Sequence, residues 1–377
     1  MVVVDTFSGR FAEPSDGGGQ SLDTCRVTPF QRWDVDATLA HVSHRPGARF
    51  GRFLDHVEDF DAAAYGISPT EALVLDPQQR LMLQDAWNVF GHRKQQRPEA
   101  VTAGVPAADQ TAVVAALSFW DYSLLYDGTA GEAYRATGRC FSVAAGRISY
   151  VYGLKGPAVS LDTACSSTLS ATSLASSMLW GGRCKRGLVT ASLLTLDPAT
   201  ISMLTAANML APDGRCKTLD ASADGYVRGE AVVSMGLSLR DAGDVWGAAG
   251  VVLGTAINQD GRSSSLTAPN GPSQQQVIRL ALQDARVVPA DLAALEMHGT
   301  GTPLGDPIEV GAAATVLSEG RAFHGHDLLG LSAVKNVLGH SEPAAGAAGL
   351  HRCMQRCAPI TSLQPFSLTC PIRRRLN

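Results

Sequence analysis

A chain of 377 residues, 45% hydrophobic and only 18% charged, has ample material for a core and is not an intrinsically disordered protein. Its 31 basic and 35 acidic residues leave a net charge of −4, and no Lys/Arg stripe with interleaved aromatics appears, so nucleic acid is not an expected partner. The 38 glycines and 19 prolines, against 6% aromatics, describe tight turns and close backbone approaches between α/β layers.

Met1 to Asp5 offer three valines and then an acid, without the basic start and long apolar run of a secretory signal. Apolar stretches elsewhere are broken by Gly, Asp or Arg well before the roughly 18 residues a membrane span needs. A cytoplasmic location with no membrane span is expected, organelle targeting being left open. Residues 1 to 50 read as loop with short strands, because Gly17 to Gly19 and the Pro46/Gly47 turn interrupt any period.

From Asp76 the pattern turns helical: Asp76 can cap, Pro77 suits the first turn, and Leu81, Leu83, Ala86, Trp87 and Phe90 share one side. Thr111 to Ser118 is a buried strand, 139 to 151 a helix, Ala158 to Leu161 a strand, and Ser166 to Trp180 a helix of small residues. Strands at Val189 to Leu194 and Ala231 to Leu239 flank a loop rich in turn residues. Val245 to Ala256 is expected to be one long strand, and Ser273 with Gln276 suggests a capping box opening a helix to Asp284. A strand end at Leu295 to His298, a helix at Asp306 to Leu317, a strand at Leu328 to Val334 and a helix at Ala344 to Met354 follow. The βαβα alternation recurs in both halves without a linker, which predicts one layered α/β unit built of two similar halves.

The eight cysteines form no CxxC pair or even framework, so reduced thiols are expected. Cys353 and Cys357 lie one helical turn apart, but no second ligand pair follows them, and no metal site is expected. Cys165, in VSLDTACSSTLSATSLA, follows an apolar strand and opens a helix. There the macrodipole and unpaired N–H groups favour a thiolate and can hold a developing oxyanion. A buried structural cysteine is the alternative, and the small neighbours Ala164, Ser166 and Ser167, which leave room for a substrate, favour the nucleophile. His298, in EMHGTGTPLGDPIE, and His340, in SAVKNVLGHSEPAAGAAG, each stand in a glycine-rich turn after a strand. With Cys165 they make a Cys/His/His set that only the fold can bring together.

These strings, with RWDVDA from Arg32, FDAAAYGISPTEALVLDPQQRL from Phe60, SVAAGRISYVYGLKGPAVSLDTACSS from Ser142, DGRCKTLDASADGYVRGE from Asp213 and INQDGRSSSLTAPNGPSQ from Ile257, resemble those of a β-ketoacyl synthase. The resemblance is to the kind found in modular polyketide synthases, within the thiolase-like superfamily, and runs from about Arg32 to Leu350. It implies a layered α-β-α-β-α fold of two similar halves, residues 1–244 with the nucleophile and 245–377 with both histidines. It also implies that Cys165 accepts an acyl chain and that His298 and His340 serve malonyl decarboxylation and carbon–carbon bond formation, in polyketide or fatty acid biosynthesis. Lys335 would be an ordering charge near His340, and Thr300 and Thr302 would contact the pantetheine arm. No bound cofactor is implied: substrates ride on the phosphopantetheine of an acyl carrier protein. A homodimer is implied, with the strand ending at Leu161 near its twofold axis. The family's usual Lys-Thr-Asn-Ile-Gly-His becomes Lys335, Asn336, Val337, Leu338, Gly339, His340, and Pro343 is unusual. After about residue 351 the sequence is truncated or divergent: it ends in SLTCPIRRRLN where a Gly-Phe-Gly-Gly-Thr-Asn type string is expected beside the active site. A non-catalytic partner subunit or an inactive truncated homologue is therefore the alternative. A thiolase is a weaker rival, since it lacks the paired histidine strings.

Overall fold

The computed structural model describes residues 1–13, 24–39, 49–91, 110–119, 121–125, 131–241, 247–321 and 329–357. The Gly17–Gly19 run, the Pro46/Gly47 turn and the terminal SLTCPIRRRLN lie outside these residues. A six-stranded mixed sheet forms the frame. Its order is β5 (Ala158–Leu161), β4 (Thr111–Leu117), β6 (Arg186–Leu193), β7 (Ala231–Leu239), β1 (Val2–Phe11) and β8 (Gly250–Val252). The first three strands run parallel, and each later neighbour is antiparallel.

β4 shows why the sheet is covered on both faces. Every residue of TAVVAAL is buried. Val113, Ala115 and Leu117 join Leu81, Leu83 and Ile148, on α3 (Pro77–Gly91) and α6 (Phe141–Tyr152), in one core. Ala112, Val114 and Ala116 join Ala171 and Ala175 of α7 (Ser167–Trp180) in another. A strand buried on both faces needs this continuous apolar run rather than alternation. The start of α3 is as expected, with the Gln78 N–H donating to Asp76 Oδ1 at 2.8 Å. Short helices occupy the connections: α1 (Val35–Leu39), α2 (Pro69–Val74), α4 (Asp121–Leu125), α5 (Arg135–Arg139) and α8 (Pro198–Ala206). β2 (Arg26–Val27) and β3 (Phe50–Gly51), on either side of α1 in sequence, form a two-residue antiparallel pairing.

The second half contributes α9 (Gly271–Ala285), a parallel pair β9 (Ala294–Glu296) and β10 (Gly330–Ser332), α10 (Gly305–Leu317), α11 (Lys335–Leu338) and α12 (Ala345–Cys357). Among the described residues its strands, β8 included, have three residues each, shorter than the first-half strands β1, β4, β5, β6 and β7 of the main sheet.

Three local expectations change. Val2–Phe11 is one ten-residue strand where loop with short strands is expected: three buried valines anchor it between β7 and β8, and a register shift between Val4 and Thr6 hides its alternation. Of the strand expected over 245–256, residues 245–246 lie outside the described residues and the remainder forms strand only at Gly250–Val252. Helix α9 is capped by Asn270, whose side chain accepts from the Ser273 N–H at 3.3 Å, so Ser273 lies inside the first turn and does not cap it.

Side chains from separate strings tie the frame together. Arg32 grips the buried Glu230 with two bonds, of 3.1 and 2.8 Å. Arg147 joins Gln79 at 3.0 Å and Glu71 at 2.6 Å.

Candidate active site

Cys165 sits in a one-turn 3-10 segment, Ala164–Ser166, between β5 and α7. The elbow is held by its own polar groups. Asp162 Oδ1 accepts from the Ala164 N–H at 2.8 Å and from Ser118 Oγ, at the end of β4, at 2.6 Å. Ser167 Oγ accepts from the Thr163 N–H at 2.8 Å and donates to the Ala164 carbonyl at 2.7 Å. These bonds hold Ala164 at φ 53°, a left-handed conformation that a residue with a Cβ rarely adopts. The half-buried thiol then lies at the start of the 14-residue α7.

His298 follows β9, and two backbone donors from its turn converge on one carboxylate of α10. Glu309 Oε1 accepts from the His298 N–H at 2.5 Å and Oε2 from the Gly299 N–H at 2.8 Å. Asp306 works beside it, Oδ1 accepting from the Gly301 N–H at 3.1 Å and Oδ2 from the Leu219 N–H at 2.9 Å. Gly301 has φ 79°, and a Cβ there would meet the Lys217 nitrogen at 2.5 Å, so only glycine lets the turn lie this close to the loop. His340 comes from the turn between α11 and α12 and is buried. Its N–H donates to the Val227 carbonyl at 2.7 Å, and its carbonyl accepts from the Gly229 N–H at 3.0 Å.

The three residues converge: the Cys165 sulfur and one nitrogen of each of His298 and His340 all lie within 4.8 Å of one another. The two imidazoles meet edge to face, with centroids 5.3 Å apart. Glu342 N–H donates to His340 Nδ1 at 3.3 Å, which leaves the proton of the neutral ring on Nε2.

Lys335 is buried next to all three. Burial holds its ammonium below the ordinary lysine pKa, opposed mainly by Glu309. Burial pushes the Cys165 thiol up, and Lys335 pulls it back. His298 is exposed as a residue, yet protein crowding around its ring, and then Lys335, lower its pKa to about 3. His340 is held well below its ordinary value by burial first and by Lys335 next. Both rings are therefore neutral hydrogen-bond donors near pH 7.

Thr300 is buried and Thr302 half-buried, their hydroxyls 3.5 Å apart, and Thr302 Oγ1 accepts from the Gly305 N–H at the start of α10. The Cys165, His298 and His340 atoms are of metal-ligating types, but the buried Lys335 cation beside them opposes a dication. The other such group among the described residues, His56, Glu58 and Asp59, is fully on the surface. Cys353 is exposed, and the side chain of Cys357 lies outside the description.

Sequence reading passed over Glu309, Asp306, Arg228 and Glu342. The first two stood in the string that carries His298, at a spacing of three on a helix start, and this pair of acids in an otherwise small and apolar segment was the available signal.

Residues 20–242 match the family model described as the N-terminal domain of β-ketoacyl synthase, and residues 249–358 match its C-terminal domain. The chain belongs to the β-ketoacyl synthase family. Over 344 residues it is 42% identical to a phenolphthiocerol/phthiocerol polyketide synthase component of Mycobacterium tuberculosis, covering 86% of this chain and 15% of that protein. Over 364 residues it is 41% identical to a pikromycin polyketide synthase component of Streptomyces venezuelae, covering 92% of this chain and 9% of that one. This β-ketoacyl synthase chain thus spans a small part of the length of these relatives. The ketosynthase from module 6 of the bacillaene synthase of Bacillus subtilis superposes with a TM-score of 0.79 at 31% identity, covering 94% of this chain and 60% of that one. The fold is the thiolase-like layered α/β fold of ketosynthases. Among the described residues no helix is long and apolar enough to cross a membrane.

Proposed function

We propose that the chain is a β-ketoacyl-[acyl-carrier-protein] synthase that condenses a malonyl thioester with an acyl group carried on Cys165. The observation that carries this reading is the meeting of one sulfur and two imidazole nitrogens within 4.8 Å. The polyketide synthase relatives favour polyketide over fatty acid biosynthesis. In the first step Cys165 Sγ attacks an acyl thioester, the N–H groups at the start of α7 hold the oxyanion, and the carrier thiol leaves with the proton. In the second, a malonyl thioester loses carbon dioxide while neutral N–H donors of His298 and His340 hold the thioester oxygen as it gains enolate charge. The C2 carbon then attacks the acyl carbonyl. Cys165 leaves as thiolate, a far better leaving group than an alkoxide, and the β-ketoacyl product remains on the carrier.

In this reading Lys335 steadies the thiolate and keeps both rings neutral, and Thr300 and Thr302 contact the pantetheine arm. No resident cofactor takes part. The nucleophile belongs to residues 1–244 and both histidines to 245–377. The partner is an acyl carrier protein, in the cytoplasm. A homodimer fits β5, an outer strand of the sheet that among the described residues pairs only with β4 and so offers an edge to a second copy. Light scattering should give twice the chain mass, and a monodisperse active monomer would refute the dimer. The non-catalytic alternative loses ground because Cys165, His298 and His340 are all present and gathered.

The test is sequential: intact mass after an acyl thioester should show one added acyl group at Cys165. Malonyl thioester should then release carbon dioxide and clear that group as β-ketoacyl product. Acylation elsewhere, or none, would sink the reading.

A further inference from the structure

We propose that Arg228 and Glu342 form a buried clasp that positions His340 and fixes which of its ring nitrogens carries the proton. The proposal rests on the condensing reading for its kinetic part only.

Glu342 lies two residues past His340 at φ 41°, a left-handed conformation that is strained for a residue with a side chain and persists only when its surroundings enforce it. Arg228 supplies the enforcement. Its Nε reaches Glu342 Oε1 at 3.2 Å and its Nη2 reaches Oε2 at 3.0 Å, while Tyr226 Oη donates to Oε1 at 3.4 Å. Both members of the pair are buried, with exposures of 2% and 5%, and the guanidinium lies 4.8 Å from the centroid of the Phe119 ring.

The same two segments are joined by backbone. His340 lies between the Val227 carbonyl and the Gly229 N–H, and a Cβ at residue 229 would strike the Leu338 carbonyl oxygen. Backbone bonds thus fix where His340 sits, and the side-chain pair fixes the turn that follows it. That turn is what aims the Glu342 N–H at His340 Nδ1. With Nδ1 accepting, the proton stays on Nε2.

The pair is not arranged for its own stability. Arg228 Nη1 is buried with no hydrogen-bond partner among the described residues. A buried ion pair is commonly no better for stability than apolar side chains of the same size. Its geometry is accounted for by what it does to His340.

The test replaces both charges at nearly constant volume, Arg228→Met with Glu342→Gln, in the full chain. Ring ¹⁵N NMR of labelled histidine, with the His340 signals assigned by their loss in His340→Ala, should show a single Nε2–H tautomer in the unaltered protein. It should show a tautomer mixture in the double variant. Malonyl decarboxylation should fall at least tenfold relative to Cys165 acylation, while the thermal midpoint reports folding. If the double variant does not fold, Arg228→Lys, which keeps the charge but not the two-pronged bond, decides by the same readouts. A folded variant that keeps the single tautomer overturns the clasp whatever its rate. An unaltered chain that never decarboxylates malonyl thioester overturns the condensing reading instead, and leaves the tautomer result standing.

Discussion

Cys165 and His340 meet in one site but are held there by different means. The bonds that shape the elbow around Cys165 mostly join residues two to four apart: Ala164 to Asp162, Thr163 to Ser167, Ser166 to Thr163. The turn carrying His340 is held from far along the chain, by Val227 and Gly229 through backbone, by Arg228 through Glu342, and by Thr168, whose hydroxyl donates to the Pro343 carbonyl. The elbow is a local fold on a sheet edge; the turn carrying His340 draws its bonds from the first half, so it depends on the second half being docked on the first. Disturbing the docking should therefore damage decarboxylation before acylation.

Single substitutions at the reacting groups give the largest effects and separate the two regions most sharply. Cys165→Ala should abolish acylation, since Cys184 and Cys216 are buried thiols raised by burial, away from any helix start. His298→Ala and His340→Ala should still acylate, because self-acylation relies on the elbow. Each should lose decarboxylation on the order of 100 to 1,000-fold, the usual result of removing one oxyanion donor. Intact mass and carbon dioxide release measure the two steps. Decarboxylation unchanged in both histidine variants would remove them from the mechanism.

The contrast also explains what was legible beforehand. The strand, the cysteine and the small-residue helix are consecutive in VSLDTACSSTLSATSLA, so the elbow could be read from one string. His298 and His340 were visible as residues in glycine-rich turns, and the family resemblance paired them with Cys165. Their supports were not visible, because nothing near Arg228 in sequence says that its partner stands 114 residues later. Glu309 was closer to view, since its carboxylate turns back on the His298 and Gly299 N–H groups of its own string. At the other end of the chain, β1 was missed because its strand identity comes from pairing with β7 and β8, and its own residues show no clean alternation.

The regions should also answer differently to pH. Burial raises the Cys165 thiol more than Lys335 lowers it, so the thiolate fraction, and with it acylation, should climb as pH rises from 6 through the ordinary thiol range near ~8.5 and go on climbing above it. Both histidines are held below their ordinary values and stay neutral throughout, so decarboxylation by pre-acylated protein should be flat over the same interval. Lys335→Met removes the cation that favours the thiolate. Acylation at pH 7 should then drop, and its rise should move to higher pH. Single-turnover acylation followed by mass spectrometry gives the profile. An acylation rate insensitive to pH in the variant and the parent alike would show that thiolate formation does not limit that step.

The smallest effect belongs to the strain stored at the elbow. Ala164 is exposed, so its methyl group fills no core, and at φ 53° that methyl is the source of a left-handed penalty of roughly 1–2 kcal/mol. Ala164→Gly removes the penalty but adds freedom to the unfolded chain worth about 0.4–1 kcal/mol in the opposite direction. The two nearly cancel, and the thermal midpoint should stay level or rise by a few degrees. The Asp162 and Ser167 bonds to the backbone survive the change, since they use main-chain N–H and carbonyl groups. The thiol should therefore keep its place, and acylation should slow no more than several-fold. A fall in stability of more than about 2 kcal/mol, the range associated with lost packing, would mean that the methyl is gripped by neighbours and that the elbow is braced by contact instead of by its hydrogen bonds.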